Sequence, residues 1–302
     1  MKGPGLFSDI GKKAKDLLTK DYTYDQKLTS SFFRLWSLAP EITLCLAPES
    51  GENVCYCMRK ASFIQGLTSA ALKKGGLYSL DIGSQYKYKN TLVDVKVDTD
   101  SNISATFTIS EIFPYTKTIA SFKIPDYNSG KLEVQYFHDH ASFASIVALN
   151  PSPVVELSGT VGAQGIAIGA EAGFDTSSGN FTKYSVGLGL AKPDYNVSVL
   201  LMDKGDILKA SYVYHFDELQ KTSAVAEITR KFSTNENYLT VGGLYAVDPQ
   251  TTVKAKLNNS GKLAALLQHE IKPKSFLTIS GEFDTKVLDR SPKFGLALAL
   301  KP

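Results

Sequence analysis

The chain has 302 residues, of which 43% are hydrophobic and 21% are charged. That length can bury a sizeable core, and the apolar content is too high for a disordered chain. No stretch approaches the roughly 20 apolar residues that a membrane-spanning helix needs, but a membrane β-barrel escapes that test because its apolar residues stand at every second position. The net charge of +3, from 33 Lys and Arg against 30 Asp and Glu, gives no case for nucleic-acid binding, which usually needs a dense basic patch.

Residues 1–20 predict one amphipathic helix. Ser8 is the expected N-cap, and Asp9 stands where the helix dipole favours an anion. Apolar residues follow at three- and four-residue spacing, and lysines take most of the other positions. Spacing alone leaves two interpretations open: a surface helix packed on a core, or a helix with an apolar wall on one side and an anionic solute on the other.

Beyond residue 66 the sequence changes to a two-residue period. Valines alternate with Asp94, Lys96 and Asp98, and over residues 103–110 apolar side chains alternate with Ser and Thr. Such alternation predicts strands with one apolar and one polar face. The turns between these strands are short and rich in Asn, Ser and Gly, which is typical of hairpins.

About 19 such segments follow one another from near Tyr24 to Leu300 without a linker, so we expect a single domain with a barrel over residues 24–302. So many strands avoid unpaired edges only if the sheet closes, and the predicted fold is all-β, a transmembrane up-and-down β-barrel. A soluble β-sandwich is the alternative, because it also alternates. The barrel is favoured by charges along whole strands, by glycines in the strands and by aromatic residues near strand ends, namely Tyr195, Tyr212, Tyr214, Tyr238 and Phe283.

Three stretches resemble plant mitochondrial porins, the voltage-dependent anion channels. Residues 3–12 resemble the N terminus of these proteins, and residues 245–267 resemble the eukaryotic porin signature. The C-terminal pattern is similar to the mitochondrial β-signal, which consists of a polar residue, a glycine and two spaced hydrophobic residues, here Lys293, Gly295, Leu298 and Leu300. The resemblance covers residues 1–29 and 66–302.

The resemblance implies a channel of the mitochondrial outer membrane. Nineteen strands is the number already known for this family, so the segment count agrees with a known example and is not an independent prediction. An odd number of alternating strands has to close with its first and last strands parallel, and the N-terminal helix is implied to fold into the lumen. The implied activity is voltage-gated, weakly anion-selective diffusion of small metabolites such as ATP, ADP and phosphate, with no enzymatic activity and no cofactor or metal. The implied partners are membrane lipids, the passing anions and nucleotides, further copies of the chain and cytosolic docking proteins.

A pore lined with more cations than anions raises the local concentration of anions. We therefore predict an anion path along the lysines of the helix and of the polar strand faces, with Ile10 and Leu17 anchoring the helix to the wall. For each lysine, a solvated charge at the rim is the alternative. The predicted residues are Lys12, Lys13, Lys15, Lys20, Lys96, Lys123, Lys209, Lys254 and Lys256.

Two other functions stay open at this stage. A barrel could act mainly as a docking scaffold for cytosolic proteins, or it could be the pore of the protein-import translocase, which would be expected to carry a longer N-terminal arm. The first residues lack the apolar core of a secretory signal, so we expect the chain to stay on the cytosolic side of the secretory boundary.

Residues 30–65 depart from the family pattern, since plant relatives are expected to have a shorter strand-like stretch here. The segment holds every cysteine, Cys45, Cys55 and Cys57, at a spacing that suits neither a disulfide framework nor a metal site. We expect a long loop or a gene-model artefact, which leaves the end of the first strand and the closure of the barrel open. A membrane-facing glutamate of several animal members is also absent, because Val95 stands in its place.

Overall fold

The computed structural model describes residues 3–36, 63–74, 77–217, 220–286 and 292–300. They form two short helical elements at the N terminus and nineteen strands, with a further 3-10 turn, Tyr127–Ser129, between the sixth and seventh strands. Among these residues no helix is both long enough and apolar enough to cross a bilayer.

The N-terminal segment is helical in two pieces. A 3-10 turn covers Phe7–Asp9, and the helix α1 covers Lys12–Thr19. Gly11 separates them with a left-handed φ of 76°, a conformation that favours glycine. The prediction of Ser8 as N-cap is wrong, because Leu6 and Gly11 hold the two cap positions, and the Asp9 carboxylate instead accepts the Leu6 N–H at 3.0 Å.

The strands are short, regular and connected mostly by tight turns. They are β1 (Gln26–Trp36), β2 (Phe63–Lys74), β3 (Leu77–Tyr88), β4 (Thr91–Asp98), β5 (Ile103–Ser110), β6 (Thr116–Ile124), β7 (Lys131–Phe137), β8 (Ala141–Ala148), β9 (Val154–Ala163), β10 (Ile166–Asp175), β11 (Asn180–Ala191), β12 (Tyr195–Met202), β13 (Ile207–His215), β14 (Ser223–Lys231), β15 (Glu236–Asp248), β16 (Thr251–Asn258), β17 (Lys262–Lys272), β18 (Ser275–Asp284) and β19 (Lys293–Leu300).

Each strand pairs antiparallel with its neighbours in sequence, and one parallel pair closes the sheet. In that pair β1 lies beside β19, with Gln26 opposite Leu296 and Ser30 opposite Leu300. The predicted barrel of about 19 strands and its parallel closure are therefore confirmed, and the sandwich alternative is excluded. Closure removes the unpaired edges that an open sheet would expose to lipid.

The two faces of the barrel differ in chemistry. On β11, Val186 and Leu188 are exposed on the outer face, and their neighbours Ser185 and Gly187 face the lumen. Aromatic pairs lie at both ends of the outer face: Tyr195–Tyr212 and Tyr214–Phe216 at one end, Phe174–Phe181 and Phe283–Phe294 at the other. An apolar band between two aromatic girdles is the outer surface of a membrane barrel.

One aromatic residue of the predicted girdle lies on the opposite face. Tyr238 is paired with Thr229, which shares its face of β14 with Val225, a residue that packs under the lumenal helix. Tyr238 therefore faces the lumen, where its hydroxyl donates to Glu236 at 2.9 Å. Its interpretation as an interfacial residue is wrong because strand parity, not nearness to a strand end, decides the face.

The atypical segment predicted over residues 30–65 begins and ends inside strands. β1 and β2 pair along their length, from Gln26 opposite Lys73 to Trp36 opposite Phe63. Residues 30–36 and 63–65 therefore belong to the barrel wall. Residues 37–62, with the three cysteines, lie outside the described residues.

The alternation of faces can be tested on β5. Phe107 is exposed on the outer face, and its neighbour Thr106 lies opposite Asp94 on the lumenal face. We expect Phe107→Lys to lower the free energy of unfolding by about 2–4 kcal/mol, because a charge at mid-bilayer depth loses its hydration. Thr106→Lys is the matched control and should have little effect, since its ammonium can reach water and Asp94. Denaturant unfolding from lipid vesicles measures both, and equal losses would contradict a lipid-facing outer surface.

Candidate functional site: the lumen and its helix

The N-terminal helix lies in the lumen against one side of the barrel wall. Ala14 and Leu18 are buried against Val213 of β13 and Val225 of β14, and Leu17 packs at the edge of this cluster. These contacts lie on the strand face opposite the exposed apolar side chains. The lumenal position implied by the resemblance therefore agrees with the structure. The helix leaves the opposite wall, formed by the strands from β2 to β6, uncovered.

A second cluster holds the start of the segment. Phe7 and Ile10 are buried against Leu200 of β12, and Met202 packs beside them. Of the two predicted anchors, Ile10 contacts the wall directly, whereas Leu17 is only partly buried. Phe7, Ala14 and Leu18 carry more of the contact, and sequence reasoning missed them as anchors because the break at Gly11 changes which apolar residues share a face.

Glycines on the lumenal face make room for these apolar side chains. A Cβ added at Gly169 would lie 2.8 Å from the Phe7 ring, and one at Gly242 would lie 2.9 Å from a Leu18 methyl group. Contacts that close would require the Phe7 ring and the Leu18 side chain to move away from the wall. The strand glycines that the sequence suggested for a wide curving wall thus include positions that seat the helix.

The chain between the helix and β1 passes directly over β19. A Cβ at Gly295 would overlap the backbone carbonyl of Thr23, and the Ser280 hydroxyl donates to that same carbonyl. Gly295, predicted as part of a sorting signal, therefore also has a steric role in the barrel. Of the other signal residues, Lys293 lies opposite Glu282 on the lumenal face, and Leu298 and Leu300 lie on the outer face.

Two of the predicted pore lysines bind the end of the helix. Lys254 is buried, and its ammonium contacts the Asp21 carboxylate at 2.9 Å. Lys256 donates to the Leu18 carbonyl at 2.8 Å and lies 4.3 Å from the centre of the Tyr22 ring. Cations placed here satisfy the carbonyls and the negative dipole at the C-terminal end of α1. Burial also raises the pKa of Tyr22 to about 12.

Two more predicted lysines are paired within the lumen. Lys209 contacts Glu227 at 2.9 Å on neighbouring strands, and Lys12 contacts Asp9 at 3.1 Å along the helix. The hydrogen bond and the charge of Asp9 raise the pKa of Lys12 above its ordinary value. Because each pair is close to neutral, it adds little to the net field of the pore.

Five predicted lysines remain exposed without an ion pair to any described residue. Lys13, Lys15 and Lys20 lie along the helix, and Lys96 and Lys123 lie on the lumenal face of the uncovered wall, where each is opposite Ser104. The charges of these five residues reach the solution in the lumen. Asp94 and Asp98 lie on the same lumenal face as Lys96 and offset part of the positive charge of the uncovered wall.

One ionic cluster was not predicted. Lys183 lies on the lumenal face of β11 and contacts Glu156 of β9 at 2.9 Å and Glu171 of β10 at 3.6 Å. The parity of these three strands places the charges on one face, so a comparison of carboxylates as well as lysines would have found it. Together these residues carry one negative charge, which partly offsets the lysines.

The described residues hold no group of three or more His, Cys, Asp or Glu side chains that could bind a metal ion. His215, which stands alone in sequence, lies on the lumenal wall, where its ring shares hydrogen bonds with Ser223 at 2.7 Å and Asn196 at 3.1 Å. These contacts give it a structural role in the wall below the helix. A cavity of about 190 Å³ opens nearby between the helix and the wall, next to Lys13, Asn196 and Ser198.

A closed barrel of nineteen strands leaves an aqueous channel through its centre. With an apolar outer face, two aromatic girdles and a polar lumen, this molecule is a pore-forming membrane protein. Comparison with known proteins agrees: residues 55–295 match the Eukaryotic porin family. The chain therefore belongs to the eukaryotic porins, as the resemblance predicted.

The relatives extend over the whole chain. It is 65% identical to mitochondrial outer membrane protein porin 5 of Oryza sativa subsp. japonica over 302 residues, which cover 100% of this chain and 99% of that protein. It is 56% identical to mitochondrial outer membrane protein porin 2 of Arabidopsis thaliana and 46% identical to the mitochondrial outer membrane porin of 34 kDa of Solanum tuberosum, in each case over 100% of this chain and 99% of the relative. The chain is a protein of the mitochondrial outer membrane.

Because the chain between α1 and β1 passes directly over Gly295 of β19, we predict that no larger residue is tolerated at this position without loss of stability. We expect Gly295→Ala to lower the free energy of unfolding by about 1–3 kcal/mol, because the new methyl group meets a backbone carbonyl that cannot rotate away. Gly281→Ala is the matched control, since its Cβ would meet only the rings of Phe283 and Phe294 at 3.3–3.5 Å. Refolding both variants in vitro, where sorting plays no part, measures the difference. If Gly295→Ala leaves the free energy of unfolding unchanged, the close contact between Gly295 and the Thr23 carbonyl is contradicted.

The contacts at the helix end predict that Lys254 and Lys256 hold α1 in place. Lys254→Met leaves Asp21 unpaired, and Lys256→Met removes the donor to Leu18, so we expect each to weaken helix docking by about 1–3 kcal/mol. Lys12→Met breaks only the exposed pair with Asp9 and should stay within about 0.5 kcal/mol. Hydrogen exchange of the α1 amides reads out the docking. Equal exchange in all three variants would show that the contacts do not hold the helix.

Proposed function

We propose that the chain is a voltage-gated, weakly anion-selective channel through which small hydrophilic metabolites such as ATP, ADP and phosphate diffuse across the mitochondrial outer membrane. The observation that carries this proposal is the row of exposed helix lysines, Lys13, Lys15 and Lys20, on a helix packed against the inside of the barrel. The aqueous pore is the path for diffusion, and the positive charge of the lysines makes the pore prefer anions to cations.

The preference is weak because several lumenal lysines are compensated nearby. Lys183, Lys209 and Lys254 each face a carboxylate within 3 Å. The unpaired lysines act only over about a Debye length, near 8 Å at physiological salt. Their field raises the local concentration of anions without holding any of them tightly, as fast diffusion requires.

Voltage sensitivity follows from the same charges. Moving one elementary charge through the membrane potential changes the free energy by about 2.3 kcal/mol per 100 mV. Residues 7–20 hold four lysines and the two carboxylates Asp9 and Asp16, so this segment is a strongly charged part of the described lumen on which the field can act. The contacts of Lys254 and Lys256 oppose its displacement, and we propose that the balance between these two terms sets the gating voltage.

Replacing the unpaired helix lysines tests the selectivity. In planar bilayers under a salt gradient, we expect the triple variant Lys13→Glu, Lys15→Glu, Lys20→Glu to move the reversal potential from anion preference to cation preference, because the sign of the helix field reverses. The double variant Lys209→Gln, Glu227→Gln is the matched control, since it removes charged groups without changing the net charge of the lumen, and its reversal potential should stay at the value of the unchanged protein.

An unchanged reversal potential in the triple variant would refute the role of the helix. The same recordings separate the alternatives. A docking scaffold without a through-going lumen would give no conductance, and conductance without voltage dependence would remove the gating part of the proposal.

A further inference from the structure

A rigid aromatic turn borders the mouth of the pore. Residues 111–115 connect β5 to β6, and Phe113 and Tyr115 are 69% and 61% exposed. The turn belongs to the same end of the barrel as the turn 138–140, because both connect an odd-numbered strand to the next strand of an antiparallel meander.

The turn is a built structure rather than a loose loop. The Thr116 hydroxyl donates to the Phe113 carbonyl at 2.6 Å and accepts the Phe113 N–H at 3.0 Å. The Tyr115 carbonyl accepts the Phe137 N–H of β7 at 2.9 Å. Tyr115 has a left-handed φ of 64°, which is unfavourable for an aromatic residue and is held by these bonds. The backbone from which the Tyr115 ring extends is therefore held at a fixed place.

Beside the turn is a hollow of about 670 Å³, which is within the range of small-molecule sites. Pro114, Tyr115 and Phe137 give it apolar walls, and Ser110, Thr116 and Lys117 add polar groups. Strand register places the hollow at the lumenal side of the rim. Phe137 lies opposite Ser142, whose hydroxyl donates to Gly5 of the lumenal segment at 2.7 Å.

The hollow is lined by one basic residue, Lys117, and one acidic residue, Glu111. Lys117 forms no ion pair with a described residue, so its ammonium is available to an anion. Glu111 is the acidic residue of the lining, and one of its carboxylate oxygens accepts from Asn90 at 3.3 Å. Its other oxygen can accept an N–H group of a ligand. The hollow thus combines an aromatic ring, an acceptor and a cation.

We propose that this hollow is an entry site for purine nucleotides, in which the base stacks on Tyr115 and the phosphates contact Lys117. Bases stack on exposed tyrosine rings regardless of sequence context, and a lysine contacts phosphate as a point charge. The exocyclic amine of adenine supplies the N–H group that Glu111 can accept. The inference rests on the proposed function, because it assigns one class of the permeating metabolites a first contact before the helix lysines.

Comparing ATP with tripolyphosphate, which has the phosphates but no base, separates the contribution of Tyr115 from that of Lys117. We would measure ATP and tripolyphosphate binding to refolded protein in nanodiscs by NMR line broadening. Tyr115→Leu should weaken ATP binding about fivefold or more, because it removes the stacking surface, and should leave tripolyphosphate binding unchanged. Tyr115→Phe keeps the ring and should restore ATP binding. Lys117→Gln should weaken both ligands.

The matched controls lie at the opposite rim. Tyr127 is 85% exposed in the turn between β6 and β7, and Lys204 is exposed in the turn between β12 and β13. Tyr127→Leu and Lys204→Gln should leave ATP binding unchanged. If Tyr127→Leu weakens ATP binding as much as Tyr115→Leu, or if Tyr115→Leu leaves it unchanged, the entry site is refuted. Chloride selectivity measured on the same variants tests the channel itself, so the entry site can fail while the proposed function stands.

Discussion

Every other feature of this molecule depends on the closure of one hydrogen-bonded ladder. In a hydrocarbon layer an unpaired backbone N–H or C=O group has no water to bind, so a sheet is stable there only without edges. Nineteen antiparallel strands cannot meet end to end in the same pattern, and the parallel pairing of β1 with β19 resolves this. The chain enters β1 beside that seam after passing over Gly295 on the lumenal face of β19, so the N-terminal segment lies inside the barrel.

The helix occupies the lumen through contacts of three kinds. Phe7 and Leu18 fill spaces left by glycines, Lys254 and Lys256 bind the groups at the helix end, and the linker is seated on β19. The apolar side of α1 is used for docking, so its lysines are left to face the solution. One amphipathic segment thereby narrows the pore and adds positive charge to its interior. Of the two interpretations that spacing left open, the structure agrees with a helix that has an apolar wall on one side, and the anionic solute on its other side stays a prediction.

The fold could be predicted from the sequence because its main signal is local. Alternation along residues 93–98 and 103–110 identifies strands and their inner faces, and strand parity places Lys96, Lys123, Lys209, Lys254 and Lys256 in the lumen. What those lysines contact could not be predicted. Asp21 and Leu18 lie more than 230 residues from their lysine partners, and no local pattern reports such a pair. Tyr238 was within reach of prediction, since its alternation with Leu239 and Val241 places it on the inner face.

Gly295 carries two demands at a single position. The resemblance assigns it to the signal that delivers the chain to its membrane, and the geometry of β19 gives it to the carbonyl of Thr23. If Gly295 belongs to this signal as predicted, a substitution there would disturb delivery and architecture together, and a defect observed in cells could not be ascribed to one or the other. On this interpretation the recognition sequence could not drift independently of the body of the protein, because the residue predicted to be recognised is also the residue over which the chain passes.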